Sequence, residues 1–265
     1  MTKTAVIILN CNLPDYTDIL FESLKPYERD DYDVMVFDNG STPEGMSKYT
    51  TYRSETNGFF GGGFESARQI TLANPEYDSL LFMNNDLTVH GMNFVRSLRS
   101  EMFSTKLSED DAYTTWWKEN HPIVYDVVSP CFFNIEPQGQ CHWKTMRNWG
   151  SKSPREVPFV DMQGPLMSRR LLEAMGPTDP DLMYGWGLDF VMALTCERND
   201  WKMAVCDNVS MLHHNSLTVK RGVAGIDIPT YCRLAEDRQR RFIQKMGMEN
   251  DFRRIRHLGE KYAFL

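Results

Sequence analysis

The stretch whose reading decides the fold is Leu80-Leu81-Phe82-Met83-Asn84-Asn85-Asp86-Leu87. Its first half is apolar and reads as a buried strand, and its second half delivers two amides and a carboxylate where that strand must end. An open α/β sheet presents its ligands in the crevice beyond the carboxyl ends of its strands, so a strand that stops in clustered oxygen ligands points to such an edge. Asn and Asp are also ordinary turn residues, and standing alone the cluster reads first as a solvated turn.

The sequence on either side changes that reading. Thr4-Ala5-Val6-Ile7-Ile8-Leu9-Asn10 is a β-branched apolar run, expected as the first, central strand. Asn12-Leu13-Pro14-Asp15 breaks it, and helical spacing follows from Tyr16 to Leu24. A second strand, Tyr32 to Phe37, ends in Asp38-Asn39-Gly40-Ser41. Strand, helix and strand in quick succession are the βαβ rhythm of a parallel sheet. Asn57-Gly58-Phe59-Phe60-Gly61-Gly62-Gly63-Phe64 is expected as a glycine-rich loop feeding a helix from Glu65 to Leu72. Glycines let a backbone approach a ligand, and the helix start favours an anion. The spacing is not that of a dinucleotide fingerprint.

Downstream, a helix is expected from Phe94 to Phe103, a polar break at Ser108 to Asp111 and a strand from Ile123 to Pro130. Trp116-Trp117 and His121-Pro122 lie in a region without a clear pattern. The segment Asn134 to Pro158 reads as hairpin or loop over the sheet edge, and Val157 to Met167 as a strand with a polar kink. Ser168 caps a helix that stops at Gly176. Tyr184-Gly185-Trp186-Gly187-Leu188-Asp189 then places an acid at the start of a helix, Phe190 to Arg198. A strand at Trp201 to Cys206 and the run Ser210-Met211-Leu212 lead to His213-His214. Residues 1–216 read as one domain and residues 217–265 as a helical, basic extension packed on it.

Composition bounds the rest. With 265 residues, 42% hydrophobic and 25% charged, the chain can build a sizeable core. No run approaches the roughly 20 apolar residues of a membrane span. The N-terminal sequence passes straight into a strand without a signal-peptide pattern, and six scattered cysteines form no Cys-x-x-Cys pair. A cytoplasmic protein with reduced thiols and no structural zinc is expected. The net charge of −7 disfavours a nucleic-acid partner overall. From Arg233 to Lys261, however, nine Lys/Arg face five Asp/Glu, a local +4 that leaves −11 on the remainder. Such a tail suits solvated helix faces first, and an anionic acceptor or surface second.

Taken in order, these clusters resemble the GT-A fold glycosyltransferases, in particular family two, which uses nucleotide-sugars. Val6 to Asn12 is similar to that family's first strand, Asp38-Asn39-Gly40-Ser41 to its Asp-Asn-x-Ser turn, and Asn57 through Ala67 to the glycine loop of its rhamnosyl- and galactofuranosyl-transferase-like members. Asn84-Asn85-Asp86 stands where the family has Asp-x-Asp, and Gly185 to Asp189 and His213-His214 where it has its acceptor-base segment and a late metal histidine. The resemblance spans Thr4 to Ser216. It departs from the pattern at Asn84, which replaces the first Asp, and at Gly187, which leaves Asp189 as the only acid of the usual pair; Asp181 is the fallback.

The resemblance implies an α/β GT-A fold with a mostly parallel central sheet flanked by helices. It implies an inverting transfer of sugar from a UDP- or dTDP-linked donor to an acceptor hydroxyl on a glycan, with a modified nucleic-acid base as a minority acceptor. Asp189 is the expected catalytic base. Asn10, Asp38, Asn57, Gly58, Gly61, Gly62, Asn84, Asn85, Asp86, Gly164 and Trp186 are expected at the nucleotide-sugar. Mn²⁺ or Mg²⁺ is expected on Asp86 with His213 or His214, the imidazole tilting the choice toward Mn²⁺. Two rivals remain: a non-catalytic nucleotide-sugar-binding module of the same fold, and a nucleotidyltransferase. The latter needs a basic glycine-rich motif after the first strand, where this chain has Asn10-Cys11-Asn12-Leu13-Pro14.

Overall fold

In the computed structural model, which describes residues 2–103, 124–132, 144–214, 217 and 226–261, strand β1 (Lys3–Asn10) lies inside the sheet. It pairs in parallel with β2 (Tyr32–Asn39) on one side and with β4 (Tyr77–Asn84) on the other. Ala5 through Ile8 are fully buried, as a strand covered on both faces must be. Each large side chain so buried contributes about 1.5–3 kcal/mol. β3 (Thr50–Ser54) extends the sheet in parallel beyond β2. Helix α1 (Pro14–Leu24) links β1 to β2, and α2 (Phe59–Ala73) links β3 to β4. The two crossovers run in opposite directions along the sheet, so right-handed connections put α1 and α2 on opposite faces.

Beyond β4 the pairing changes sense. β8 (Leu166–Ser168) is antiparallel to both β4 and β6 (Val127–Phe132), and β6 pairs in parallel with the long β9 (Met203–His213). β5 (Leu87–Val89) and β7 (Arg155–Glu156) each run antiparallel to β9. The sheet is therefore mixed, parallel from β3 to β4 and again between β6 and β9. Helix α3 (Phe94–Met102) packs on the β6–β9 side, while α4 (Arg169–Met175) joins α2 over β4. Arg169 closes the end of α2. Its guanidinium donates to the carbonyls of Leu72 (2.7 Å) and Asn74 (2.9 Å), acceptors that the end of α2 leaves without partners, and to that of Tyr77 (3.0 Å) at the start of β4. Pro75 then prevents further helix.

Helix α5 (Leu188–Arg198) follows the tryptophan-glycine segment, and α6 (Ile228–Lys245) and α7 (Glu249–Lys261) complete the described chain. Phe252 of α7 meets Phe190 edge-on with ring centroids 5.3 Å apart, and Ile255 is buried. Several basic residues of these helices pair with carboxylates of the body: Arg241 with Asp181 (3.2 Å), Lys245 with Asp179 (2.7 Å) and Arg254 with Glu197 (2.6 Å).

Several expected elements differ. α2 begins at Phe59, so the glycines are its first turns and not a loop before it. Gly61 and Gly63 are small because the helix is pressed against its neighbours: a Cβ on Gly61 would stand 2.2 Å from the Leu182 carbonyl, and one on Gly63 2.4 Å from Leu9 Cδ1. The expected strand Val157 to Met167 is strand only from Leu166, and the one expected at Trp201 to Cys206 runs from Met203 to His213, with a register shift against β6 after Cys206. The polar break Ser108 to Asp111, the region of Trp116-Trp117 and His121-Pro122, most of the stretch before β6, and Cys141 lie outside the described residues.

Candidate active site

The strand register assembles the site. Asn10 lies opposite Asp38, and Leu9 opposite Asn84, so the carboxyl ends of β1, β2 and β4 form one edge. β1 is the strand from which the sheet grows in both directions, the switch point where open α/β sheets bind ligands. A cavity of about 480 Å³ opens there. Asn39, Asn84, Asn85, Asp86 and His213 line its sheet side, and Tyr184, Trp186, Asp189 and Arg256 its helical side.

Asp86 and His213 come together because Leu87 pairs with His213 across the β5–β9 ladder. His213 Nε2 lies 3.3 Å from Asp86 Oδ2, and both side chains are almost wholly buried. Burial pushes the Asp86 carboxyl up, but hydrogen bonding and charge from His213, with the Leu217 N–H at 3.2 Å, more than offset it and hold the group below its ordinary value. His214 turns elsewhere: its Nε2 meets Thr88 Oγ1 at 2.9 Å and its ring packs edge-on against Tyr16. Of the two imidazoles, only His213 adjoins the carboxylate.

The donor set suits a divalent cation. A carboxylate and an imidazole stand side by side, and in the same wall the Asn84 Oδ1 is buried without a hydrogen-bond partner. An orphaned buried acceptor costs about 1–3 kcal/mol and calls for an explanation such as a ligand or ion. Among the described residues no cluster of three or more His, Cys, Asp or Glu could hold a metal, so the remaining coordination would fall to ligand oxygens, amides and water.

Asp189 sits in the first turn of α5, where its Oδ1 accepts the Phe190 N–H at 2.8 Å. Gly185 and Gly187, at φ +90° and +97°, make the turn that carries Trp186 to the rim, where it is 39% exposed. A Cβ on Gly185 would collide with the Phe60 ring at 2.5 Å. Asp181 does not line the cavity; Arg241 and Arg238 occupy its carboxylate.

The expected donor residues divide. Asn57, Asn84, Asn85, Asp86 and Trp186 line the cavity; Asn10, Asp38, Gly58, Gly61, Gly62 and Gly164 do not. Asn10 is fully buried and ties β1 to Asp38, Gly45 and Thr17. Asp38 is also fully buried, with hydrogen bonds from Asn10 and the Ser41 N–H. Its neighbour Asn39 faces the cavity instead, donating to the Phe59 carbonyl at 2.8 Å and accepting from the Gly58 N–H at 3.1 Å. These bonds hold Phe59 at φ +54°, a conformation bulky residues avoid and one that concentrates at functional sites. Gly164, at φ +72°, turns the chain against Met211. Residues that the sequence reading passed over also line the wall: Asp161 and Gln163 before β8, Tyr231 and Gln239 of α6, and Phe252 and Arg256 of α7. Period-two alternation could have flagged Asn39, since Asp38 and Asn39 must face opposite ways.

The fold is that of the GT-A glycosyltransferases. Among solved structures, the chain is similar to GalNAc-T7 with UDP, GalNAc and Mn²⁺ (TM-score 0.55, 15% identity), covering 80% of this chain and 43% of that one. It is similar to glucosyl-3-phosphoglycerate synthase from Mycobacterium tuberculosis in complex with Mn²⁺, UDP and glucosyl-3-phosphoglycerate (TM-score 0.52, 14% identity, 89% and 80% covered). S. aureus TarS 1-349 in complex with UDP matches at TM-score 0.51 and 14% identity over 92% and 72%. At these identities the likeness is one of fold. No family model matches the sequence, and no curated protein is similar to it in sequence. Among the described residues no helix is long and apolar enough to cross a membrane.

Proposed function

We propose that the chain is a family-two-like glycosyltransferase that moves a sugar, with inversion, from a nucleoside-diphosphate donor to an acceptor hydroxyl on a glycan. The observation that carries the reading is the buried Asp86–His213 pair beside the orphaned Asn84 Oδ1, in a cavity that also holds the Asp189 carboxylate. Complexes of two neighbours of the same fold with UDP and Mn²⁺ support a nucleotide donor and a divalent cation. They lend a nucleic-acid acceptor no support.

In this reading Asp86 and His213 would hold the cation, which would supply positive charge for a departing diphosphate. Asn84, Asn85, Asn39 and Asn57 orient the nucleotide and exclude water from the sheet side of the cavity. Asp189 takes the proton of the acceptor hydroxyl as its oxygen attacks the anomeric carbon. The bond to the diphosphate breaks, and its electron pair leaves with the phosphate oxygen. Trp186 offers a flat apolar face to a sugar ring at the rim.

The test is incubation with UDP- and dTDP-sugars in the presence of Mn²⁺ or Mg²⁺. Slow release of the free nucleoside diphosphate, dependent on the cation, is expected. Tight nucleotide binding with no cleavage of any donor would instead favour the non-catalytic module.

A further inference from the structure

A second cavity, of about 570 Å³, lies between α6 and α7 and meets the first at Trp186, Gln239, Phe252 and Arg256. Arg240 and Arg253 also line it, each one turn along its own helix from a glutamate that lines it too, Glu236 and Glu249. Most cations of these helices are already neutralised, and Arg240 itself is held by Glu236 at 3.0 Å. Arg253 differs. It is exposed, and among the described residues it donates only to the Glu249 backbone carbonyl (3.3 Å) and the Asn250 amide oxygen (3.2 Å) and forms no ion pair to a carboxylate. A guanidinium is built to grip a carboxylate or phosphate in bidentate fashion. The groove thus joins an under-used cation to an exposed indole and leads directly into the cavity of Asp189.

We propose that this groove seats the acceptor, and that the acceptor is a sugar chain bearing negative charge. Its acidic group lies on Arg253, the ring nearest the reaction stacks at Trp186, and the reacting hydroxyl reaches Asp189. The proposal rests on the transferase reading above.

The experiment is calorimetric titration of the full chain, with and without UDP and Mn²⁺, against three oligosaccharides of equal length: an oligouronate, a sugar-phosphate oligomer and a neutral glycan. At least one acidic probe is expected to bind about tenfold tighter than the neutral one, the worth of a charge-assisted hydrogen bond. Salt should erode the preference. Which acidic probe wins identifies carboxylate or phosphate as the recognised group. Arg253→Ala should abolish the preference. Lys202→Ala, an exposed charge outside both cavities, should keep it. Equal affinity for all three probes, binding of none, or an Arg253→Ala variant that retains the preference overturns the proposal. None of these readouts involves donor cleavage, so failure here leaves the transferase reading to its own nucleotide-release test.

Discussion

The Asn10 amide donates to Asp38 Oδ1 at 2.8 Å across adjacent strands, so this carboxylate serves the interior of the fold and not its rim. The Ser41 N–H reaches Oδ2 at 3.1 Å, and Arg53 approaches it from outside at 3.6 Å. Asp38→Ala should therefore cost about 2–3 kcal/mol, the penalty for stranding its buried partners. Urea unfolding measures it. UDP affinity, taken where the variant is still folded, should stay near that of the parent; a loss of affinity at unchanged stability would return Asp38 to the donor.

The two neighbouring imidazoles should separate cleanly. Asp86→Ala and His213→Ala are each expected to remove the part of UDP affinity that depends on Mn²⁺. His214→Ala should leave that part intact and cost about 1 kcal/mol through the lost Thr88 bond. Titrating UDP with and without Mn²⁺ reads all three, and an Asp86→Ala variant with undiminished metal dependence removes the pair from the role.

For Asp189 the expected signature is a split between binding and turnover. Asp189→Asn keeps the shape of the residue and its place in the first turn of α5, so UDP binding should persist. Transfer should fall by about 10²–10⁴, the usual worth of a positioned general base. Near-parental turnover would exclude Asp189.

Adjacent glycines of α2 should respond in opposite directions. Gly61→Ala drives a methyl into the Leu182 carbonyl and the Met183 Cα, at 2.2 and 2.8 Å, and should destabilise by about 1–3 kcal/mol. Gly62→Ala meets nothing within 4 Å and should stabilise the helix by up to about 1 kcal/mol. Thermal melts of the pair test whether α2 is seated as described. If Gly62→Ala melts higher yet loses UDP affinity, the donor runs along that face.

Glu65 gives the acid limb a specific contributor. Burial raises its carboxyl, but hydrogen bonds from Arg68, the Thr178 N–H and Gln69 outweigh that and hold it at about 2 instead of 4.5. A carboxyl lowered on folding stabilises above its unfolded value and loses that stabilisation as pH falls. Here the loss runs from about 4.5 down to about 2. Glu65→Gln should cost about 1 kcal/mol at neutral pH after solvent screening and flatten the stability curve through that window. An unchanged acid limb would contradict it.

The sequence discloses the elements that carry their own signal. β1, β2 and β4 are continuous apolar runs because both faces are covered, and Ser168 and Gly176 mark the ends of α4 chemically. β3 is largely exposed and β5 has only three residues, too little pattern to stand out. β9 looked interrupted because Asp207 sits within it. There the carboxylate is buried and satisfied by Arg155 and the N–H groups of Trp149 and Ser151, a tertiary arrangement no local pattern reveals. The same distinction holds at the site. Asp86, Asp189 and His213 follow apolar runs or open a helix, so type and position announce them. Asp161, Tyr231 and Arg256 reach the cavity only through packing.

The Leu87–His213 pairing also sets a timetable. During translation Asp86 leaves the ribosome well before the imidazole it is to meet, and contacts so distant along the chain close late. The four parallel strands β1 to β4, with α1 and α2, can be in place while Asp86 still waits for His213. A chain released before β9 would keep that parallel half, lose the strand on which β5, β6 and β7 pair, and leave Asp86 without its imidazole neighbour.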